Sequence, residues 1–268
     1  MRTYIASGLA RPLRFTAALL TCAALSCATL SQLNLIPIEQ DAALGLQAYP
    51  ELLQGESVIT SGQDYEMVQR VTARLVEAAK HFDPDVANQF EWEARLVNKP
   101  EMVNAWCLPG GKMAVFTGIL PIAQGEAGLA VVMGHEIAHA TQRHGTRAMT
   151  RQMGASALIH IASVLIFETP NAQQTAAALG EYATGFANLS FGRDAELEAD
   201  ATGLRYMARA GYDPREATRF WERMQALSSG ASGPAWLSTH PSHGKRIEQI
   251  QGLLPEALEV YAQSGGSK

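Results

Sequence analysis

Cysteine is scarce in this chain: Cys22, Cys27 and Cys107 are the only three among 268 residues. Two of them fall in the first 27 positions, so a chain processed there keeps one thiol, and an internal disulfide framework is excluded. Basic charge is also short, with 21 Lys and Arg against 26 Asp and Glu. Loss of Arg2, Arg11 and Arg14 with a leader would leave 18 against 26. That balance argues against nucleic acid, whose phosphates reward basic surfaces. Internal repeats and long low-complexity stretches are missing too. Past residue 38, no apolar segment reaches the roughly 20 residues needed to cross a bilayer.

What the first 38 residues hold is an N-terminal leader pattern. Arg-containing patches precede an uncharged run from Phe15 to Ile38 that includes "FTAALLTCAAL". "AALSC" places small residues before Cys27, as in a bacterial lipoprotein signal, whereas threonine precedes Cys22. The expectation is a lipoprotein-type signal over residues 1–26, a lipid on Cys27, and export to the periplasmic side of the outer membrane. A plain secretory signal or an uncleaved anchor is the alternative, and Ser31, Gln32 and Asn34 weaken the anchor.

Residues 27–44 read as tether and lead-in, and 45–268 as one catalytic domain large enough to bury a core. The lead-in continues irregularly to about residue 62, broken by Pro37, Gly45, Pro50, Gly55 and Gly62. Met67, Val71, Leu75 and Ala79 recur at helical spacing up to Phe82, with Asp64 as the cap. From Phe90 to Val97 the period shortens to two, which predicts a half-buried strand. "VNAWCLPGGKMAVF" offers two extended runs around a turn at Pro109-Gly110-Gly111. Helices are then predicted over 126–144 with Gly145 as the stop, from Arg147 to Phe167, over 194–210, from Pro214, and after Pro241. The fold class is therefore α+β and mainly helical, with one small sheet.

"VVMGHEIAHATQRHG" sets two histidines and a glutamate in a segment apolar on nearly all sides. A helix of that kind belongs in a core, where an unpaired polar group costs about 2–7 kcal/mol. His135 and His139 are four apart and project from one helical face, with Glu136 about 100° round from them. Two neutral imidazoles on one face bind a single zinc ion, and the adjacent carboxylate reaches water at the metal. A metal ion is the compensation the buried segment lacks.

A third ligand has several possible sources. His144 lies nine residues after His135, but Gln142 and Gly145 stand where the metzincin pattern needs glycine and histidine. It reads most simply as an exposed residue at a helix end. In "ELEAD", Glu196 and Asp200 are four apart, so one carboxylate can bind metal while the other accepts a ligand's ring N–H. Ala199 and Gly203 beside them are small enough for close helix approach. The bland alternative is a solvated acidic face paired with Arg193 or Arg205.

"HEIAHA", then "ELEAD" about 60 residues on, then "THPSHGKRI" resembles the gluzincin metallopeptidases of family M48, which include HtpX-like and CAAX prenyl protease-like enzymes. The resemblance runs from about Leu44 to Leu253 and implies a zincin-like domain. It makes His135, His139 and Glu196 ligands of one zinc ion, Glu136 the general base and Asp200 a partner behind the ligands. His240 falls where the family carries a histidine near the metal, as an oxyanion donor or as a fourth ligand in a resting state. Glu198 receives no role, and Arg246 either orients the site or caps surface acids. His81, His160 and His243 read as ordinary. The short layout with Cys27 resembles the outer-membrane lipoprotein members.

The reaction this implies is peptide-bond hydrolysis by metal-activated water. The strand matching "NAW" is expected to flank the cleft, with Asn104 and Ala105 making main-chain contacts to an extended substrate. Strand addition reads backbone, so unfolded or misassembled polypeptides are the expected partners, and quality control at the outer membrane the expected setting. The competing reading is an outer-membrane assembly factor or chaperone-like binding protein that keeps zinc and rarely cleaves. An intact Glu136 disfavours a purely structural site. A prenyl-protein protease with several spanning helices is excluded by the missing apolar segments.

Overall fold

The computed structural model describes residues 33–152, 185, 189–227, 233–241 and 244–265. The leader, Cys27, His160, His243 and most of the helix predicted from Arg147 to Phe167 lie outside the described residues.

The lead-in is more ordered than its prolines and glycines suggest: α1 runs Glu39–Leu52 and carries Pro50 in its last turn. Buried Leu44, Gly45 and Ala48 seat it on the chain around Pro109. Helix α2, Gln63–Phe82, follows β1, Val58–Ile59, and buries Val68, Val71, Leu75 and Ala79. Gly62, at φ 100°, takes the capping position predicted for Asp64, which instead lies in the first turn. The one-turn α3, Pro84–Ala87, leads to β2, Glu93–Val97, and the sheet is completed by β3, Ala105–Cys107, and β4, Lys112–Phe116.

The strand order is β1-β2-β4-β3, with β2 and β4 parallel and both outer pairs antiparallel. The turn between β3 and β4 falls at Pro109-Gly110-Gly111, as predicted. Gly110 has φ 80°, and a Cβ there would lie 2.5 Å from Ala42 Cα, so only glycine fits against α1.

A single turn, α4 (Leu120–Ala123), precedes α5, Glu126–Thr141, in which every residue from Gly128 onward is buried. Helix α5 stops before the predicted Gly145. Arg143 takes φ 56°, and the chain restarts as α6, His144–Gln152, with Gly145 inside it. Helix α7, Arg193–Arg209, crosses α5 with Gly203 against Gly134, where a Cβ on Gly203 would stand 2.8 Å from His135 N. The small residues in "ELEADATG" therefore do permit close approach. Helix α8, Glu216–Leu227, the short α9, Ala235–Thr239, and α10, Gly244–Gln263, close the domain. Asp213 accepts from Arg215 N–H just ahead of α8, which starts two residues after the predicted Pro214. No helix among the described residues is long and apolar enough to cross a membrane.

Candidate active site

The buried helix α5 delivers His135, Glu136 and His139 to one point, all of them 2–3% exposed. The Gly134–Gly203 crossing brings α7 close enough for Glu196, fully buried, to meet both histidines. His139 Nε2 lies 3.0 Å from His135 Nε2 and 3.4 Å from Glu196 Oε1. From the end of α9, His240 adds Nδ1 at 3.2 Å from His135 Nε2 and 3.1 Å from Glu196 Oε1. The four donor atoms lie within 4.8 Å of one another, a set that can hold a metal ion.

Two observations test the fit. Tetrahedral coordination with metal–nitrogen bonds of roughly 2.0–2.1 Å places ligand atoms about 3.3 Å apart, and the separations of His135 from the other three residues and of Glu196 from His139 and His240, 3.0–3.5 Å, bracket that edge. The hydrogen bonds behind the ligands agree. Asp200 Oδ1, 3.0 Å from His135 Nδ1, accepts that ring's N–H and leaves Nε2 as the nitrogen that faces the cluster. Burial holds His139 well below its ordinary range, so its ring is neutral. Two imidazole nitrogens and a carboxylate converging in a buried pocket call for a cation among them. The residues fit a divalent metal.

Charge behind the cluster comes from Arg246 on α10, 1% exposed. Its Nε and Nη2 donate to the two oxygens of Asp200 at 2.6 Å each, and its Nη1 donates to Glu196 Oε2 at 2.7 Å. The acid face of α7 is thus paired by Arg246, rather than by the Arg193 or Arg205 that the sequence offered nearby. Burial raises the Glu196 carboxyl, but the His135, His139 and His240 rings that face it more than reverse this and hold it far below the carboxylate range.

Glu136 Oε1 accepts from Trp236 Nε1 at 2.7 Å and lies 3.3 Å from His240 Nε2. Sequence reasoning missed Trp236, which sits four residues before His240 with nothing in its neighbours to mark it. It also misplaced His144: far from being exposed, that residue is 2% exposed and bonded between His139 and Glu198. Phe191 stacks on His139 with ring centroids 4.1 Å apart. His81 is exposed and distant from the cluster, as read.

A cleft beside Glu136 and His139 is walled by Trp106, Cys107, Arg143 and Phe191. Strand β3 forms its sheet edge. Phe116 N–H donates to Asn104 C=O and Leu108 N–H to Lys112 C=O, so Ala105 and Cys107 occupy the alternate positions and turn their main-chain groups to the unpaired edge. Asn104 spends its carbonyl inside the sheet, and its side-chain Oδ1 accepts from Ala105 N–H at 3.0 Å. Of the two residues expected to contact substrate, Ala105 faces the open edge, together with Cys107, whereas Asn104 has its carbonyl inside the sheet.

A His-Glu-x-x-His helix joined by a carboxylate from a second helix defines the zincin-like class of metallopeptidase sites. The profile of "Peptidase family M48" matches residues 63–254, most of the chain, and the protein belongs to that family. It is 34% identical to the mitochondrial metalloendopeptidase OMA1 of Saccharomyces cerevisiae over 74% of this chain and 58% of that one. It is 36% identical to the mitochondrial metalloendopeptidase OMA1 of Arabidopsis thaliana over 75% of this chain and 39% of that one. The beta-barrel assembly-enhancing protease of Escherichia coli is 30% identical over 63% of this chain and 36% of its own length. The chain thus spans less than two thirds of each of these relatives.

These matches correct one expectation. Placement as a bacterial outer-membrane lipoprotein does not hold: the relatives at 34% and 36% identity carry mitochondrial names, whereas the bacterial beta-barrel assembly-enhancing proteases stand at 30% and 31%.

Proposed function

We propose that this chain is a zinc-dependent metalloendopeptidase in which His135, His139 and Glu196 hold the metal and Glu136 is the general base. The observation that carries the reading is the convergence of four buried donor atoms beside a fifth group, Glu136, that makes no part of the donor set. A closed structural site has no use for such a base.

Zinc bound here would supply Lewis acidity, polarising the scissile carbonyl and acidifying a water. Glu136 takes the proton from that water and returns it to the leaving amine. Asp200 and Arg246 keep His135 in the tautomer whose Nε2 faces the metal. His240 places Nδ1 among the donor atoms and Nε2 on Glu136, which supports the fourth-ligand role over the oxyanion role in this closed arrangement. Entry of water and substrate then requires withdrawal of the α9 segment.

Extended segments of unfolded or misassembled polypeptides are the proposed substrates, added as a strand at Ala105 and Cys107. Recognition through main chain tolerates varied sequences, which suits protein quality control.

The deciding test is cleavage of an unfolded protein by the zinc-loaded full chain beside Glu136→Gln carrying equal zinc. Cleavage by the first alone supports the peptidase and its base. Cleavage by both removes Glu136 from the role.

A further inference from the structure

Resting on that metal-site reading, we propose that His144 and Glu198 form a second relay that fixes the tautomer of His139, the counterpart of Asp200 and Arg246 behind His135. The geometry is specific at every link. His144 Nε2 lies 3.0 Å from Glu198 Oε2, and a carboxylate only accepts, so this nitrogen carries the proton. In a neutral ring the other nitrogen, Nδ1, is then bare. It stands 2.8 Å from His139 Nδ1, which must therefore be the donor. His139 Nε2 is left as a lone pair facing the donor cluster, the form a metal ligand needs. Arg147 Nη1 donates to the same Glu198 oxygen at 3.2 Å and anchors the outer end.

A regular helix would not bring these rings together, because residues five apart point about 140° from each other. The chain achieves it by breaking α5. Arg143 adopts φ 56°, a left-handed conformation unfavourable for a residue with a Cβ. It is held there by its own side chain, whose Nε and Nη2 donate to the two oxygens of fully buried Asp41 at 2.8 and 2.9 Å, and whose Nη2 also donates to Ile36 C=O at 2.6 Å. The turn folds His144 back beneath His139, with ring centroids 4.8 Å apart. His144 and Glu198 are positioning residues: neither reaches the donor cluster, and both act through His139.

The test is competition for Zn2+ by a chromophoric chelator at pH 7.5 on the full chain, with release rates, and the visible spectrum of the Co2+-substituted protein. His144→Ala is expected to weaken zinc affinity about 10- to 100-fold, the usual effect of losing such a partner, and to shift the cobalt bands. His144→Gln, which restores an acceptor oxygen without the ring, should recover part of the affinity; a purely packing role predicts no recovery. Should His144→Ala fail to fold, Glu198→Gln at the half-exposed outer end is expected to weaken affinity by a smaller factor with metal-free stability unchanged. Wild-type affinity, release rate and cobalt spectrum in both His144→Ala and Glu198→Gln would overturn the relay. Failure of the wild-type chain to bind zinc would instead overturn the metal-site reading beneath it.

Discussion

Trp236 Nε1 donates to Glu136 Oε1 at 2.7 Å, so the carboxylate proposed as base is engaged for as long as α9 lies over the site. The same short helix ends on His240, whose ring touches both Glu136 and Glu196. One segment therefore occupies the proposed base and the proposed fourth metal position together.

Trp236→Phe keeps an aromatic ring to stack on Trp221, at 5.2 Å between centroids, and removes only the indole donor. A hydrogen bond to a charged group contributes roughly 1.5–3 kcal/mol, so its loss should shift the balance toward the withdrawn arrangement by about 10-fold or more. Basal cleavage of an unfolded protein is expected to rise, with zinc content unchanged. A fall in rate would mean that the indole holds Glu136 in its working orientation.

Gly203→Ala tests the crossing that brings Glu196 to the histidines. The added Cβ would stand 2.8 Å from both Gly134 C and His135 N, backbone atoms that cannot swing aside. Overpacking of this kind costs about 1–3 kcal/mol. Thermal unfolding should show a lower midpoint, and zinc affinity should fall with it because His135 moves. A loss of stability with full affinity would show that the cluster floats free of the crossing.

Metal uptake should depend on pH through His135. Burial lowers its affinity for a proton, but hydrogen bonds to Asp200 and Glu196 outweigh that and lift it to about 9 in the metal-free protein. Below pH 9 a proton must therefore leave before zinc binds, and affinity should rise about tenfold per pH unit up to that point and then level. Calorimetry at pH 7 in two buffers of different ionisation enthalpy should report release of about one proton per zinc. No proton release would place the ring neutral before binding.

Much of this site was legible along the chain because its signals are local. The four-residue spacings of His135 with His139 and of Glu196 with Asp200 follow from one turn of helix, and glycine at 110 and 111 marks a turn whatever surrounds it. What stayed hidden depends on partners distant in sequence. Arg246 reaches Asp200 across 46 residues and Trp236 reaches Glu136 across 100, and no periodicity records such pairs. His144 was misread because a continuing helix would have left it outside. The left-handed turn at Arg143 is set by Asp41, 102 residues earlier in a stretch whose prolines and glycines suggested no helix at all.

Arg246 gives the strongest stability prediction, because it neutralises two buried carboxylates. Arg246→Ala leaves Glu196 and Asp200 buried with less positive charge beside them, and removing one partner of a buried ion pair costs about 3–5 kcal/mol. Arg246→Lys should recover little, since one ammonium cannot supply the forked pair of bonds to Asp200 and the third to Glu196. Zinc offers a partial substitute for the lost charge. The midpoint gap between Arg246→Ala and wild type should therefore be wide in chelator and narrower with zinc in excess. An equal gap under both conditions would mean that Arg246 acts through packing on Trp221, 3.8 Å from its guanidinium carbon, and not through the acids it faces.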